Sequence, residues 1–181
     1  MLTRPAQLED LDVCLAIDPS FVTDRVWQMN LCEEREAITA SFRAVRLPRP
    51  IQVGYPRDPA TLRVNWNHQD FFQVALQSSD PQSPIVGYLT MSAQDWHQTG
   101  WIADLVVAPE HRRQGVATAL LKAAGQWAWQ EDLHRLVIEV QTKNYPAICF
   151  VQRRGFAFCG YNDHYYTNQD IALFFGLNLR A

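Results

Sequence analysis

Leu105-Val106-Val107-Ala108-Pro109-Glu110-His111-Arg112-Arg113-Gln114-Gly115-Val116-Ala117 is the stretch that decides how this chain folds. It opens as an apolar strand, Pro109 stops the strand, and the spacing predicts a helix from Gln114. The first turn of a helix has backbone N–H groups without partners, and the helix dipole adds positive potential there. A phosphate is a natural occupant of such a turn. Gly115 has no Cβ, so the backbone there can come close to a ligand. Ala117 keeps the next turn small, Arg112 and Arg113 bring charge, and Thr118 offers a hydroxyl. The Gly-Lys-Ser/Thr of a Walker loop and the GxGxxG of a dinucleotide fold are both absent. A plain strand–loop–helix with a solvated arginine pair fits the same spacing.

Downstream, Gln114 to Gln130 is the best helix pattern in the chain, with Val116, Leu120, Ala123, Ala124 and Trp127 forming an apolar stripe. A strand is expected over Leu136–Gln141 and a short helix over Tyr145–Arg153, ended by Gly155 as a left-handed cap. Phe156–Tyr161 and Ile171–Leu179 are the last strands. Upstream lie the strands Trp101–Ala108, Ile85–Met91 and Phe71–Leu76. Pro48 to Pro59, with four prolines and one glycine, predicts a loop or a short edge segment. Arg25–Leu31 and Ala37–Leu47 predict a long hairpin, and Leu8–Ile17 a first helix. This order is an α+β plan: a mixed, mostly antiparallel sheet flanked by helices, with one parallel crossover.

The 181 residues fit one domain, 1–181, or one domain with an extension. Apolar residues at 48% and charged residues at 19% are those of a globular protein, which argues against disorder. The net charge of −3 gives no reason to expect nucleic acid and leaves a cationic small molecule as a partner. The first residues carry Arg4, Glu9 and Asp10 with no apolar segment, so no signal peptide is read there. No run approaches the ~18 apolar residues that span a bilayer. Cys14, Cys32, Cys149 and Cys159 lack CxxC spacing and are expected as reduced thiols of a cytoplasmic protein. The histidines have no metal-ligand spacing, so no metal is expected. Exposed strand edges could pair two copies in a homodimer.

Arg112-x-x-Gly115-x-Ala117 resembles the (Gln/Arg)-x-x-Gly-x-(Gly/Ala) motif of the GNAT acetyltransferases, and the preceding Asp104–Glu110 resembles that family's strand and loop. Further on, Asn144-Tyr145-Pro146-Ala147-Ile148-Cys149-Phe150 with Arg154-Gly155-Phe156 resembles the family's second motif. The resemblance covers about 85–161. Within the family, Asn144–Phe156 followed by Gly160-Tyr161 and an apolar strand is similar to the streptothricin-type antibiotic acetyltransferases. The resemblance implies a GNAT-like sheet whose strands Trp101–Ala108 and Leu136–Gln141 splay apart to hold acetyl-CoA. It implies that backbone groups of Leu105, Val106 and Val107 hold the pantetheine arm. The N–H groups of Arg113, Gln114, Gly115, Val116, Ala117 and Thr118 would hold the pyrophosphate, with Arg112 beside them. Asn144 would bond the cofactor, and Ala147 and Phe150 would line the slot beside the thiol.

Acetyl transfer needs a deprotonated amine, which a carboxylate can supply, and donors for the oxyanion. Asp104 and Glu139, each in an apolar strand, are the base candidates. A salt-bridged or solvent-facing carboxylate is the other reading of each. The family's acidic tyrosine follows the position of Phe150, where this chain has Val151. Tyr145, Tyr161, Tyr165 and Tyr166 are the nearby replacements. The implied activity is acetyl transfer from acetyl-CoA to a primary amine of a small molecule or protein. A non-catalytic acyl-CoA-binding module is the alternative.

Overall fold

The computed structural model describes residues 2–180. Seven strands form one sheet in the order β1-β4-β5-β6-β7-β9-β8. They are β1 (Thr3–Pro5), β4 (Phe71–Leu76), β5 (Ile85–Gln94), β6 (Thr99–Val107), β7 (Arg135–Gln141), β8 (Ala157–Asn162) and β9 (Ala172–Asn178). All neighbours are antiparallel except β6 and β7, which are joined by the crossover helix α3 (Val116–Gln130). This is the expected plan.

Alternation along the strands gives the sheet two apolar faces. On one, Val116, Leu120, Leu121, Ala124 and Ala128 of α3 and Ile148 and Val151 of α4 (Tyr145–Arg153) pack on Leu89, Met91, Ile102, Ile138 and Phe175. On the other, Leu11 and Cys14 of α1 (Leu11–Ala16) and Leu62 of α2 (Thr61–Val64) cover Val74, Tyr88 and Val106. Burying each such aliphatic side chain contributes about 1.5–3 kcal/mol.

The hairpin of β2 (Phe21–Glu34) and β3 (Ala37–Val53) forms a separate two-stranded sheet. It is longer than the sequence predicts. Pairing runs from Thr23↔Ile51 directly to Arg25↔Arg46, so Leu47, Pro48, Arg49 and Pro50 bulge opposite Asp24. Prolines are tolerated in such a bulge because no ladder N–H is required of them. Of the stretch from Pro48 to Pro59, the part up to Val53 is therefore strand, and the loop begins after it. The hairpin is tied to the main sheet where Trp27 N donates to Thr142 O at 2.8 Å, and Phe42 stacks near Phe158 and Tyr161.

Helix α3 starts two positions later than predicted. Arg113 (φ 63°) and Gly115 (φ 89°) are both left-handed, which holds off the helix until Val116. Gly155, at φ 87°, ends α4 as expected.

Candidate active site

Strands β6 and β7 pair from Thr99↔Arg135 to Ile102↔Ile138 and no further. The cause is in the register with β5: Met91 faces Ile102, then Thr90 faces Asp104, so Ala103 is an extra residue. A bulge bends its strand and sharpens the local twist. Here it turns β6 away from β7 and leaves the rest of each strand with an open facing edge.

A cavity of about 80 Å³ lies in this split. Ala103 and Leu105 form its β6 wall, and Ile138, Glu139, Val140 and Gln141 its β7 wall. Ala147, Phe150 and Val151 of α4 close one end, with Asn144 beside them. Tyr55, Arg57 and Tyr166 close the other side. A wider, open groove of about 950 Å³ runs between β4 and the second half of α3. It touches neither the split nor the start of α3, so size does not decide where the chemistry sits.

At the start of α3 the backbone N–H groups of Arg113 through Thr118 donate to no acceptor among the described residues, whereas Ala119 N already bonds Gly115 O. A Cβ built on Gly115 would meet nothing within 4 Å. A row of free donors over open space fits an anion, and the split edge fits an extended amide-bearing chain that hydrogen-bonds like a strand. These are the requirements of coenzyme A, so the residues present fit that group.

Arg112 turns its side chain inward. Its Nε donates to Val107 O at 2.9 Å, its Nη1 to Ser20 O at 2.7 Å and its Nη2 to Asp18 O at 3.0 Å, and its own N–H bonds Pro109 O. Its fork fastens the turn to the 18–20 segment instead of projecting toward an anion. Burial lowers its pKa, against weaker raising by Asp18 and Glu110.

The two candidate bases separate. Glu139 lines the cavity, with its side chain 1% exposed, and accepts from Arg57, from Trp101 Nε1 at 3.1 Å and from Tyr165 Oη at 2.8 Å. Asp104 does not line it. The bulge puts its carboxylate on the face of Val106, where it accepts from Tyr55 and from Thr90 Oγ1 at 2.7 Å. Tyr55, the partner it accepts from, stands in the cavity wall. Tyr145 also stands outside: it opens α4, and its hydroxyl meets Arg25 Nη1 of the hairpin at a long 3.5 Å. Asn144 caps α4, its Oδ1 accepting from Ala147 N at 3.1 Å. Leu105 lies on the split, and Val106 and Val107 continue the same strand.

Sequence reasoning missed Tyr55 and Arg57, and it ranked Tyr166 no higher than its neighbours. Tyr55 and Arg57 lie in a proline-rich segment whose path over Asp104 and Glu139 has no local signal. Tyr166 is buried at 6% exposure, and its hydroxyl makes no hydrogen bond among the described residues. Burial first, and Glu139 second, push its pKa far above the ordinary phenol value. The same two causes push Tyr165 up to about 12.

An open sheet split at its one parallel pair, with free helix-start amides beyond the split, is the architecture of an enzyme that takes acetyl groups from acetyl-CoA. The chain belongs to the acetyltransferase (GNAT) family, whose model matches residues 36–156. It is similar to the streptothricin acetyltransferase of Streptomyces lavendulae, 27% identical over 164 residues, covering 90% of this chain and 85% of that one. The crystal structure of a nourseothricin acetyltransferase superposes with a TM-score of 0.81 at 27% identity over 98% of both chains. A Bacillus anthracis protein solved in complex with acetyl coenzyme A shares the fold, with a TM-score of 0.73 at 23% identity over 98% of both chains. No helix among the described residues is long and apolar enough to cross a membrane, and none of their side chains cluster as a metal site.

Proposed function

We propose that the protein acetylates a primary amine of a small cationic molecule at the cavity between β6 and β7. The observation that carries this reading is one of place. The split edge of β6 and the buried carboxylate of Glu139 wall one cavity, and the free amides of 113–118 follow the open end of β6 along the chain. The similarity to relatives named for streptothricin and nourseothricin supports a small acceptor over a protein one.

Acetyl-CoA, when bound, supplies the activated acyl group. The amides of Arg113, Gln114, Gly115, Val116, Ala117 and Thr118 hold its diphosphate, aided by the helix dipole. The free edge of β6 at Leu105–Val107 holds the amide-bearing arm. Ala147, Phe150 and Val151 exclude water from the reacting end. Glu139 faces the acceptor, attracts its charged form and receives its proton through water. Tyr166, whose hydroxyl stays protonated at ordinary pH, holds a proton at the cavity wall for the sulfur that departs. Val151 lies in the core at 1% exposure and supplies no acid, so Tyr166 takes the part that the family gives to a tyrosine there.

The test is thiol release from acetyl-CoA with a panel holding a streptothricin-class antibiotic, free lysine, a diamine and a peptide N-terminus. Release that requires an amine, and is fastest with the antibiotic or diamine, is the expected result. Acetyl-CoA binding by calorimetry with no release in any arm would make the protein a non-catalytic acyl-CoA-binding module.

A further inference from the structure

Four side-chain atoms among the described residues are buried without a hydrogen-bond partner: Trp27 Nε1, Gln69 Oε1, Arg135 Nε and Gln141 Oε1. Gln141 alone of these residues lines the cavity. Its side chain is nearly sealed, at 2% exposure, and lies at the end of β7 two positions beyond Glu139. A buried amide oxygen with no donor is a costly arrangement in a finished core.

The orientation of this amide is fixed by its surroundings. Gln141 Nε2 donates to Asp170 Oδ2 at 2.9 Å. A carboxylate accepts only, so the amide nitrogen must face Asp170 and the oxygen must face away from it. Asp170 is itself held by Lys143 Nζ and by Asn168 Nδ2 at 3.0 Å. Its backbone oxygen accepts from the N–H groups of Tyr165 and Tyr166 at 3.2 and 3.3 Å, so the same residue that aims Gln141 also fixes the tyrosine turn.

We propose that Gln141 Oε1 is a ligand-binding acceptor, aimed by Asp170, that receives an N–H of the molecule filling the cavity. This deepens the acetyltransferase reading and rests on it. Two sources carry that chemistry: an amide N–H of the pantetheine arm and the amine of the acceptor. The donor is one N–H in either case, because one oxygen on one side of the cavity is on offer. Nothing else in the cavity wall is both as buried and as unpartnered.

The experiment uses the whole chain and the variant Gln141→Leu, which keeps the volume and removes the acceptor. Acetyl-CoA affinity is measured by calorimetry without amine, and KM for the best acceptor at saturating acetyl-CoA. A loss of about tenfold in acetyl-CoA affinity assigns the donor to pantetheine. A rise of about tenfold in acceptor KM with unchanged acetyl-CoA affinity assigns it to the amine. Both parameters unchanged overturns the proposal. Should Gln141→Leu not fold, Asp170→Asn is used. It leaves Gln141 in place but lets its amide turn over, and it is expected to weaken the same parameter, with no change in either again counting against the inference. A wild-type protein that neither binds acetyl-CoA nor releases thiol would instead remove the enzyme reading itself.

Discussion

Arg57, on the segment that follows β3, pairs with Glu139 on β7, 82 positions further along the chain, and the pair closes one side of the cavity. Burial works to lower the guanidinium pKa, but the charge and hydrogen bonding of Glu139 outweigh it and raise it. The two partners differ in depth, with side chains 28% and 1% exposed. Removing either one therefore has unequal effects. Arg57→Ala strands a buried carboxylate and should cost about 3–5 kcal/mol. Glu139→Gln leaves the charge on the more exposed partner and should cost only about 1–2 kcal/mol. Urea unfolding of the two variants checks the order, and equal losses would contradict it.

Glu139→Gln should also lower kcat by about 100-fold while acetyl-CoA affinity is kept, if the carboxylate takes the acceptor's proton as proposed. A fall in cofactor affinity of similar size would show that Glu139 serves the cofactor instead.

Tyr166→Phe removes one oxygen from a buried ring. A drop in kcat of about 100-fold, with acetyl-CoA binding intact, is expected from the lost proton donor. The sign of its shift matters here. A phenol raised by burial keeps its proton as pH climbs through the range where an ordinary tyrosine, at about 10, would lose it. The wild-type rate should thus show no alkaline fall below about pH 10 that Tyr166→Phe abolishes.

Gly115 is at φ 89° with open space where a Cβ would point. Gly115→Ala meets no clash and should cost about 1–2 kcal/mol through backbone strain alone. Gly115→Tyr carries the same strain but fills the space over the free amides. Its loss of acetyl-CoA affinity should exceed that of the alanine variant by at least about tenfold. Calorimetry on both, with melting curves to confirm folding, decides.

Away from the site, Arg4 grips Asp10 through both terminal nitrogens, at 2.6 and 2.9 Å. The Arg4 hydrogen bond is the main cause that holds the Asp10 carboxyl below its usual pKa, with the Gln7 N–H assisting against burial. A depressed acid stabilises the fold above its unfolded pKa of about 3.9, and that contribution disappears as pH falls through the folded value. The stability gap between wild type and Asp10→Asn should be full at pH 6 and shrink below about pH 4. A gap that is constant down to pH 2 would refute the linkage.

The strands, the crossover helix and the glycine turn before it are legible because their signals are local: apolar alternation, Pro109, and Gly115 after an arginine pair. The wall of the cavity is not. Tyr55 and Arg57 find Asp104 and Glu139 only through tertiary contact, and the bulge at Ala103 leaves no mark in composition. Two partners of Arg112 are equally distant in sequence. An arginine beside an anion turn suggests an open charge, whereas the carbonyls that occupy it belong to Val107 and to residues 18 and 20. The sequence predicts the helix start two residues early because a left-handed Arg113 is not the usual choice for its residue type.

Strand β6 has a parity, and Ala103 switches it midway. Up to Ile102, even-numbered side chains enter the α3 side; past the switch, odd-numbered ones do, which is why Leu105 can serve the apolar layer while Asp104 escapes it. The polarity of each wall is therefore set by counting, and the same residue types in an uninterrupted strand would turn the acid toward α3 and the leucine toward α1 and α2.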